Sequence, residues 1–495
     1  VTGWREAAVA LRWNIQPFIN GRSHYSASRQ TIDNVNPATE AVLCEAPAGA
    51  AADVDEAVRV ARQSFEDGRW SQVPPIRRAE VLHRLADLIV RNKNEIALLD
   101  SLEMGKPITA ALYDAEHFCT RLLRSWAGFA DKLVGETAPF AGNGLDINVY
   151  EPRGVIGAIT PWNFPCVNSV YKFAPALAAG NTVVIKPSEL APSSALKLAE
   201  LALEAGLPEG VLNVVPGLGS TVGAALALHP DVDMLSFTGS TVTGRKIMEL
   251  CGRSNGKPLL LELGGKSAQV IFDDVRNLDK VAEETTASFL RNSGQVCSAY
   301  TRLLVHEDIK APLLEKVVKL ARRCQPGDPL DESTTLGPLA SPTQRDRVAR
   351  YIEQGISEGA EAVLRGTLQT SGGCAVAPHI FDRVHPEMAI AREEIFGPVL
   401  SVLTFRTEVE AIALANATDY GLAATVWTCD MGRGKRLARA MRAGHVAVRT
   451  GGGEEAGSGV VMSHEPRKAS GFGAEAGLGG LRSYSTLKSV SFSGA

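Results

Sequence analysis

In "NSGQVCSA", residues 292 to 299, one cysteine follows a Gly-Gln pair and sits among small residues that would leave its sulfur accessible. As a thiolate, Cys297 is a nucleophile able to add to a carbonyl carbon; un-ionised, it is one more small apolar residue in a core. The cysteine alone does not separate the two readings. Other stretches offer nucleotide chemistry. In "SFTGSTVTG", residues 236 to 244, an apolar strand end runs through Gly239 and Ser240 into a helix expected to start near Thr243. Backbone N–H groups at such a start can face a pyrophosphate, with Gly239 and Gly244 letting the main chain come close, although an ordinary strand-to-helix turn reads the same way. "GLGSTVG", residues 217 to 223, has its third glycine one place too late for the dinucleotide fingerprint. In "IKPSE", a lysine and a glutamate, Lys186 and Glu189, follow a strand. A carboxylate there can accept from ribose hydroxyls and would repel a 2′-phosphate, favouring NAD over NADP; the alternative is a solvated ion pair.

The elements that must position these groups follow from periodicity. Residues 50 to 132 carry apolar side chains at helical spacing, as in "AADVDEAVRVARQSF". From 153 the text alternates strand, turn and helix: "GVIGAIT", "TVVIKPS", "LNVVPG" and "MLSFTGS" are short β-rich runs separated by helical stretches such as "SSALKLAELALEAG". That is the βαβ pattern of a parallel sheet with covered faces. A second α/β region spans about 265 to 460, with strands at "SAQVIFD", "TRLLVHE", "VLSVLTF" and "AATVWTC". The expected fold is α/β, two doubly wound Rossmann-like domains with a cleft between them. The tail "LRSYSTLKSVSFSGA" alternates like an exposed strand, which needs a partner, another subunit being one source.

Composition bounds what such a chain does. It has 495 residues, 45% hydrophobic and 21% charged, enough for two or three domains. A formal charge of −4 provides no broad basic face, so nucleic acid is not an expected partner. Apolar runs stay short of a membrane span, and the N-terminal stretch lacks a secretory pattern, so a cytoplasmic location away from membranes is expected. The eight cysteines and nine histidines are scattered, without CxxC or HExxH, and no metal is expected.

The stretches "PWNFP" (161 to 165), "KPSE" (186 to 189), "FTGSTVTG" (237 to 244), "LELGGKS" (261 to 267), "GQVCSA" (294 to 299) and "EEIFGPV" (393 to 399) resemble, in this order, the motifs of the aldehyde dehydrogenase superfamily. The likeness runs from "FINGR" at 18 to "YSTLK" at 484. It implies NAD(P)-dependent oxidation of an aldehyde to the acid, with NAD preferred. Cys297 matches the nucleophile, Asn163 the oxyanion donor acting with the Cys297 N–H, and Glu262 the base that activates water, with Gly264 and Gly265 giving it room to move. On the cofactor side the resemblance implies Trp162 and Lys186 near the adenosine ribose, Glu189 on its hydroxyls and Gly219 by the adenine. It also implies Gly239, Ser240 and Gly244 at the pyrophosphate, and Glu394, Phe396 and, more weakly, Gln344 at the nicotinamide ribose. The implied organisation is an NAD-binding domain (1–133 and 153–263), a catalytic domain (264–462) and an oligomerisation element (134–152 and 482–495) that makes dimers or tetramers.

Departures from the family pattern concern the substrate. "GHVAVRT" (444 to 450) and "SHEPRKASG" (463 to 471) stand where other texts are common, placing Arg449 at a usual Asn and His464 at a usual pocket aromatic. With Phe118, Phe164, Val167, Asn168 and Tyr171 as the other expected walls, the tunnel reads as more polar than one for plain alkanals, suited to a hydrogen-bonding or anionic distal group; loop drift with broad specificity is the alternative. Rival readings are a CoA-acylating dehydrogenase, against which Glu262 argues, and a catalytically retired binding or structural member of the fold.

Overall fold

A computed structural model describes residues 3–138, 144–369, 372–450 and 462–492. Parts of the expected oligomerisation element (139–143 and 493–495) and of the unusual C-terminal region (451–461) lie outside the described residues.

Five parallel strands form the heart of the first sheet: Leu212–Val214, Thr182–Lys186, Val155–Ile159, Met234–Thr238 and Leu259–Glu262, in that spatial order. They are buried almost throughout, which explains why they read as short β-rich runs without polar alternation. Numbered along the chain their order is 3-2-1-4-5. The winding therefore reverses between Val155–Ile159 and Met234–Thr238, and a crevice opens beyond their C-terminal ends. Short strands Arg22–Ser23 and Phe18–Ile19 extend one edge antiparallel, and Gly471–Phe472 returns from the far C-terminal region to close the other.

The second sheet has the order Glu361–Leu364, His379–Asp382, Val399–Phe405, Arg302–His306, Ala268–Ile271, Ala423–Trp427, His445–Arg449, parallel except for its first strand. Only five residues, 263 to 267, separate the last core strand of the first sheet from the central strand Ala268–Ile271 of the second. That short link ties the two sheets at one point.

Helices Ala51–Glu66, Pro75–Arg91, Lys93–Met104 and Thr120–Phe129 account for the helical region. Between them Asp114–Cys119 winds as a π-helix, a widened turn that periodicity did not reveal. Helix Pro165–Ala179 starts with proline in its first turn and ends at Gly180, whose φ of 97° suits only glycine. Asn168, Tyr171 and Lys172, three or four residues apart, share one of its faces. The helix expected near Thr243 begins at Thr241, because the Ser240 side chain caps it by accepting from Thr243 N at 3.1 Å. The C-terminal strand, Ser485–Phe492, finds its partner within the chain, pairing antiparallel along all of Leu145–Pro152, which in turn pairs Glu136–Thr137.

Candidate active site

Sheet register brings the chemistry to one edge. Ile159 lies opposite Lys186, Phe237 opposite Ile159, and Thr238 opposite Glu262. The loops leaving these ends carry Trp162 and Asn163, Lys186 and Glu189, Gly239 and Ser240, and the link 263–267. Facing them is the turn that enters Arg302–His306, and on it stands Cys297. The link glycines serve close approach: a Cβ on Gly265 would lie 2.3 Å from the Cys297 carbonyl oxygen, and one on Gly264 2.5 Å from a Glu394 carboxylate oxygen.

The turn before Cys297 is strained and tied down. Asn292, Ser293 and Gly294 all have left-handed φ, of 51°, 58° and 76°. For the two non-glycine residues this costs about 1–3 kcal/mol each. Hydrogen bonds hold the shape: Asn292 Nδ2 donates to the Asn163 carbonyl at 2.7 Å, Ser293 Oγ to the Gly337 carbonyl at 2.7 Å, and Ala340 N to Gln295 Oε1 at 2.9 Å. Asn163, nearly buried, donates from Nδ2 to the Gln295 carbonyl at 2.9 Å, while its Oδ1 accepts from Asn168 Nδ2 at 3.2 Å. The amide is thereby oriented with its nitrogen toward the Cys297 turn, and its second N–H is left for another acceptor.

Charge distribution around the thiol is acidic. Burial, then the Glu262 and Glu394 carboxylates, push the half-buried Cys297 thiol up to about 12, opposed by a hydrogen bond from the Ser298 N–H. Glu262 is nearly buried and its Oε1 has no partner among the described residues. Burial, and next the charge of Glu475, hold its carboxyl well above the usual range, while Lys172 pulls the other way. Lys172 and Glu475 form a buried ion pair behind this carboxyl, joining helix Pro165–Ala179 to the C-terminal region. Sequence reasoning missed that pair. A charged Lys172 on the same helical face as Asn168 and Tyr171 was the available signal.

On the expected cofactor side, the Lys186 ammonium is buried and pairs with the half-exposed Glu189 carboxylate at 2.8 Å, so only the carboxylate end of the pair faces solvent. Trp162 meets the Phe396 ring edge-on at 5.4 Å. Phe396 takes a left-handed φ of 61°, and Gln344 Nε2 donates to its carbonyl at 2.8 Å. Gln344 therefore braces the Glu394 loop. Glu394 Oε1 accepts from Gly265 N at 3.0 Å. Behind it lies Lys266, fully buried, its Nζ unpartnered among the described residues and its ammonium pushed down to about 7 by burial and by the neighbouring Arg302 charge. Gly239 and Gly244 are needed for packing, since a Cβ would strike the Phe237 ring at 2.4 Å or Leu263 at 2.6 Å. Gly219 is exposed, with open space where a Cβ would stand. The exposed first turn of helix Thr241–Arg253, at the reversal in winding, fits a pyrophosphate on chemical grounds: it is a helix N-terminus that carries the Ser240 and Thr243 hydroxyls.

The expected tunnel walls divide. Tyr171 lies in the fields of Glu475, Glu262 and Cys297, which with burial raise its hydroxyl's pKa. Phe118, on the π-helix, and Phe164 are half-buried. Val167, by contrast, is 4% exposed and belongs to the apolar core, and Asn168 orients Asn163. His464 pairs its backbone with Glu475 through hydrogen bonds of 3.0 and 2.9 Å. Arg449 faces elsewhere, bridging to Glu284 at 3.3 Å across Trp427. Among the described residues one His/Asp group has ligand-like spacing, Asp273, His306 and Asp308 at the other end of strand Arg302–His306; Arg433 already approaches its Asp273 at 3.7 Å.

Two doubly wound α/β units meeting at a cysteine-bearing turn define the class of protein, and comparisons with known proteins define it further. The aldehyde dehydrogenase family model matches residues 24–490. The NADP/NAD-dependent aldehyde dehydrogenase PuuC of Escherichia coli is 42% identical over 488 residues, 98% of this chain and 97% of that protein. The indole-3-acetaldehyde dehydrogenase AldA of P. syringae, solved in complex with NAD+ and IAA, superposes with a TM-score of 0.95 at 42% identity, covering 99% of this chain and 98% of that one. A gamma-glutamyl-gamma-aminobutyraldehyde dehydrogenase from Burkholderia cenocepacia gives 0.95 at 41% identity, with the same coverage. The chain belongs to the aldehyde dehydrogenase family, whose members are oxidoreductases acting on aldehydes.

Proposed function

We propose that this protein oxidises an aldehyde to its carboxylic acid with NAD+, through a covalent adduct on Cys297. The observation that carries the reading is the convergence of an oriented amide (Asn163), a buried unpartnered carboxyl (Glu262) and a thiol on a rigid turn (Cys297) at the edge of a nucleotide-type sheet. A carbonyl carbon releases hydride poorly until a nucleophile adds to it, and a thiolate adds readily. The Glu262 carboxylate, whose charge acts most strongly on the thiol, takes the Cys297 proton and passes it to water, and the sulfur forms the C–S bond while the carbonyl π electrons move to oxygen. The free N–H of Asn163 and the backbone N–H of Cys297 receive that oxyanion, typically worth about 3 kcal/mol in the transition state. When bound, NAD+ supplies the two-electron acceptor, leaving a thioester on Cys297. Glu262 then takes a proton from water, whose oxygen attacks the thioester; the C–S bond breaks and the acid leaves. Lys172 and Glu475 set the charge that Glu262 faces.

The cofactor preference for NAD over NADP follows from the Glu189 carboxylate, which Lys186 keeps ionised where a 2′-phosphate would sit. Glu394 and Phe396 with Gln344 as brace are assigned to the nicotinamide ribose, Trp162 and Lys186 to the adenosine ribose, and Ser240 and the helix start to the pyrophosphate. A cytoplasmic homo-oligomer is the preferred context. The eight unpaired cysteines support the location, and the exposed Leu145, Leu487 and Phe492 of the three-stranded sheet support assembly. No helix among the described residues is long and apolar enough to cross a membrane.

NADH formation across alkyl, aromatic, amino and carboxy aldehydes, with Cys297→Ala alongside and with CoA present or absent, tests this. Turnover that needs Cys297 and yields free acid without CoA is expected. Acyl-CoA as the product, or cofactor binding with no NADH from any aldehyde, would overturn it.

A further inference from the structure

The two phenylalanines of the expected tunnel each carry an arginine on the ring. The Arg121 guanidinium carbon lies 5.0 Å from the Phe118 centroid, and that of Arg291 5.4 Å from the Phe164 centroid. Lys106 also stands over Phe164, at 3.6 Å, but it is buried in an ion pair with Asp114 and its charge is compensated. Arg121 and Arg291 are different: both are exposed, and neither forms an ion pair among the described residues. A guanidinium resting on an aromatic face keeps its in-plane N–H donors free for a carboxylate fork.

Their positions connect them to the reacting centre from two separate elements. Arg291 opens the strained turn that leads to Cys297, one residue before the Asn292 that binds the Asn163 carbonyl. Arg121 stands on helix Thr120–Phe129, and its charge acts on the Tyr171 hydroxyl, which also feels Glu262 and Cys297. Around the thiol itself the charges are those of Glu262, Glu394 and Glu475. Inward the site is acidic, and at the two rings it is basic. Such a gradient draws an anion in only as far as the rings and repels an ammonium group there.

We infer that Arg121 and Arg291 form a distal clamp for an aldehyde that ends in a carboxylate, so that the substrates are ω-carboxy aldehydes and the products dicarboxylates. This rests on the aldehyde oxidation proposed above and adds the substrate class. Arg121 and Arg291 are specificity residues; they take no part in bond making. An ω-amino aldehyde of equal length is disfavoured.

The test is kcat/KM for 5-oxopentanoate against its methyl ester, in wild-type protein, Arg121→Gln, Arg291→Gln and Arg291→Lys. The acid is expected to exceed the ester in wild type. Each Gln variant should cut the acid-to-ester ratio by about tenfold, mainly through KM of the acid, and Arg291→Lys, which keeps the charge but loses the stacked fork, should fall between Arg291→Gln and wild type. Added salt should raise KM for the acid and leave the ester alone. A ratio unchanged in both Gln variants, or an ester preferred by the wild type, would overturn the clamp and leave aldehyde oxidation standing. Failure of wild type to form NADH from acid, ester and pentanal alike would instead remove the underlying reading, and the clamp with it.

Discussion

Substituting Gly265 by alanine adds one methyl group at the tightest point between the two halves of the site. Gly265 does not need a left-handed backbone, so the effect is purely steric. The new Cβ would lie 2.3 Å from the Cys297 carbonyl oxygen and 3.3 Å from Leu422 Cβ. Since side-chain carbons essentially never come within 3.0 Å of a neighbour, the two segments must part by at least 3.0 − 2.3 = 0.7 Å. The obstructing atom is backbone and cannot swing aside. Relief on one side pulls on the Gly265 N–H bond to Glu394, and on the other disturbs the strained turn held by Asn163. A displacement near 1 Å at a reacting centre costs up to about 100-fold in rate. We therefore expect Gly265→Ala to lower kcat/KM by about 10- to 100-fold, with KM for the aldehyde changed far less than kcat. Gly264→Ala meets the mobile end of Glu394 instead, and should act chiefly on KM for NAD+. Steady-state kinetics with both substrates varied, and thermal melts to exclude unfolding, measure this. Full activity in a Gly265→Ala protein that melts like wild type would refute the close-approach argument.

Removing Lys172 leaves the Glu475 carboxylate buried without its cation, so Lys172→Met should cost about 3–5 kcal/mol in chemical denaturation. Because burial and Glu475 hold the Glu262 carboxyl above its ordinary value, Glu262 is protonated at low pH and cannot take a proton from water. Acyl-enzyme hydrolysis should therefore rise with pH through that raised pKa, and in Glu475→Gln the rise should shift to lower pH, read from the pH profile of kcat. Asn168→Ala frees the Asn163 amide to rotate and should lower kcat by about tenfold with alkyl and carboxy aldehydes alike. A selective effect on one aldehyde class would show Asn168 acting as a tunnel wall in its own right.

Much of the fold was legible because buried parallel strands have a strong signature: "TVVIK" and "MLSFT" are short β-rich runs without polar alternation, followed by turn residues. The short terminal strands were not, since Gly471–Phe472 has no periodicity and is defined by its partner Leu261–Glu262. At the site, Cys297, Glu262 and Asn163 were accessible through their motifs, yet what orients them was not. The left-handed Asn292 and Ser293 and the Lys172–Glu475 pair depend on contacts between residues far apart in sequence, and the π-turn at Asp114–Cys119 has no apolar periodicity that marks it. Asn168 and Val167 illustrate the same limit. Their helical positions are adjacent, but the tertiary packing sends one to the Asn163 amide and the other to the core.

The most direct test of the account is to mix the Glu262→Gln protein with NAD+ and an aldehyde and to weigh the Cys297 peptide after a quench. If Cys297 is the nucleophile and Glu262 the hydrolytic base, about one NADH forms per chain in a burst, turnover then stalls, and the acyl mass appears on Cys297. An acyl group on another cysteine, or steady NADH production by Cys297→Ala, would contradict it.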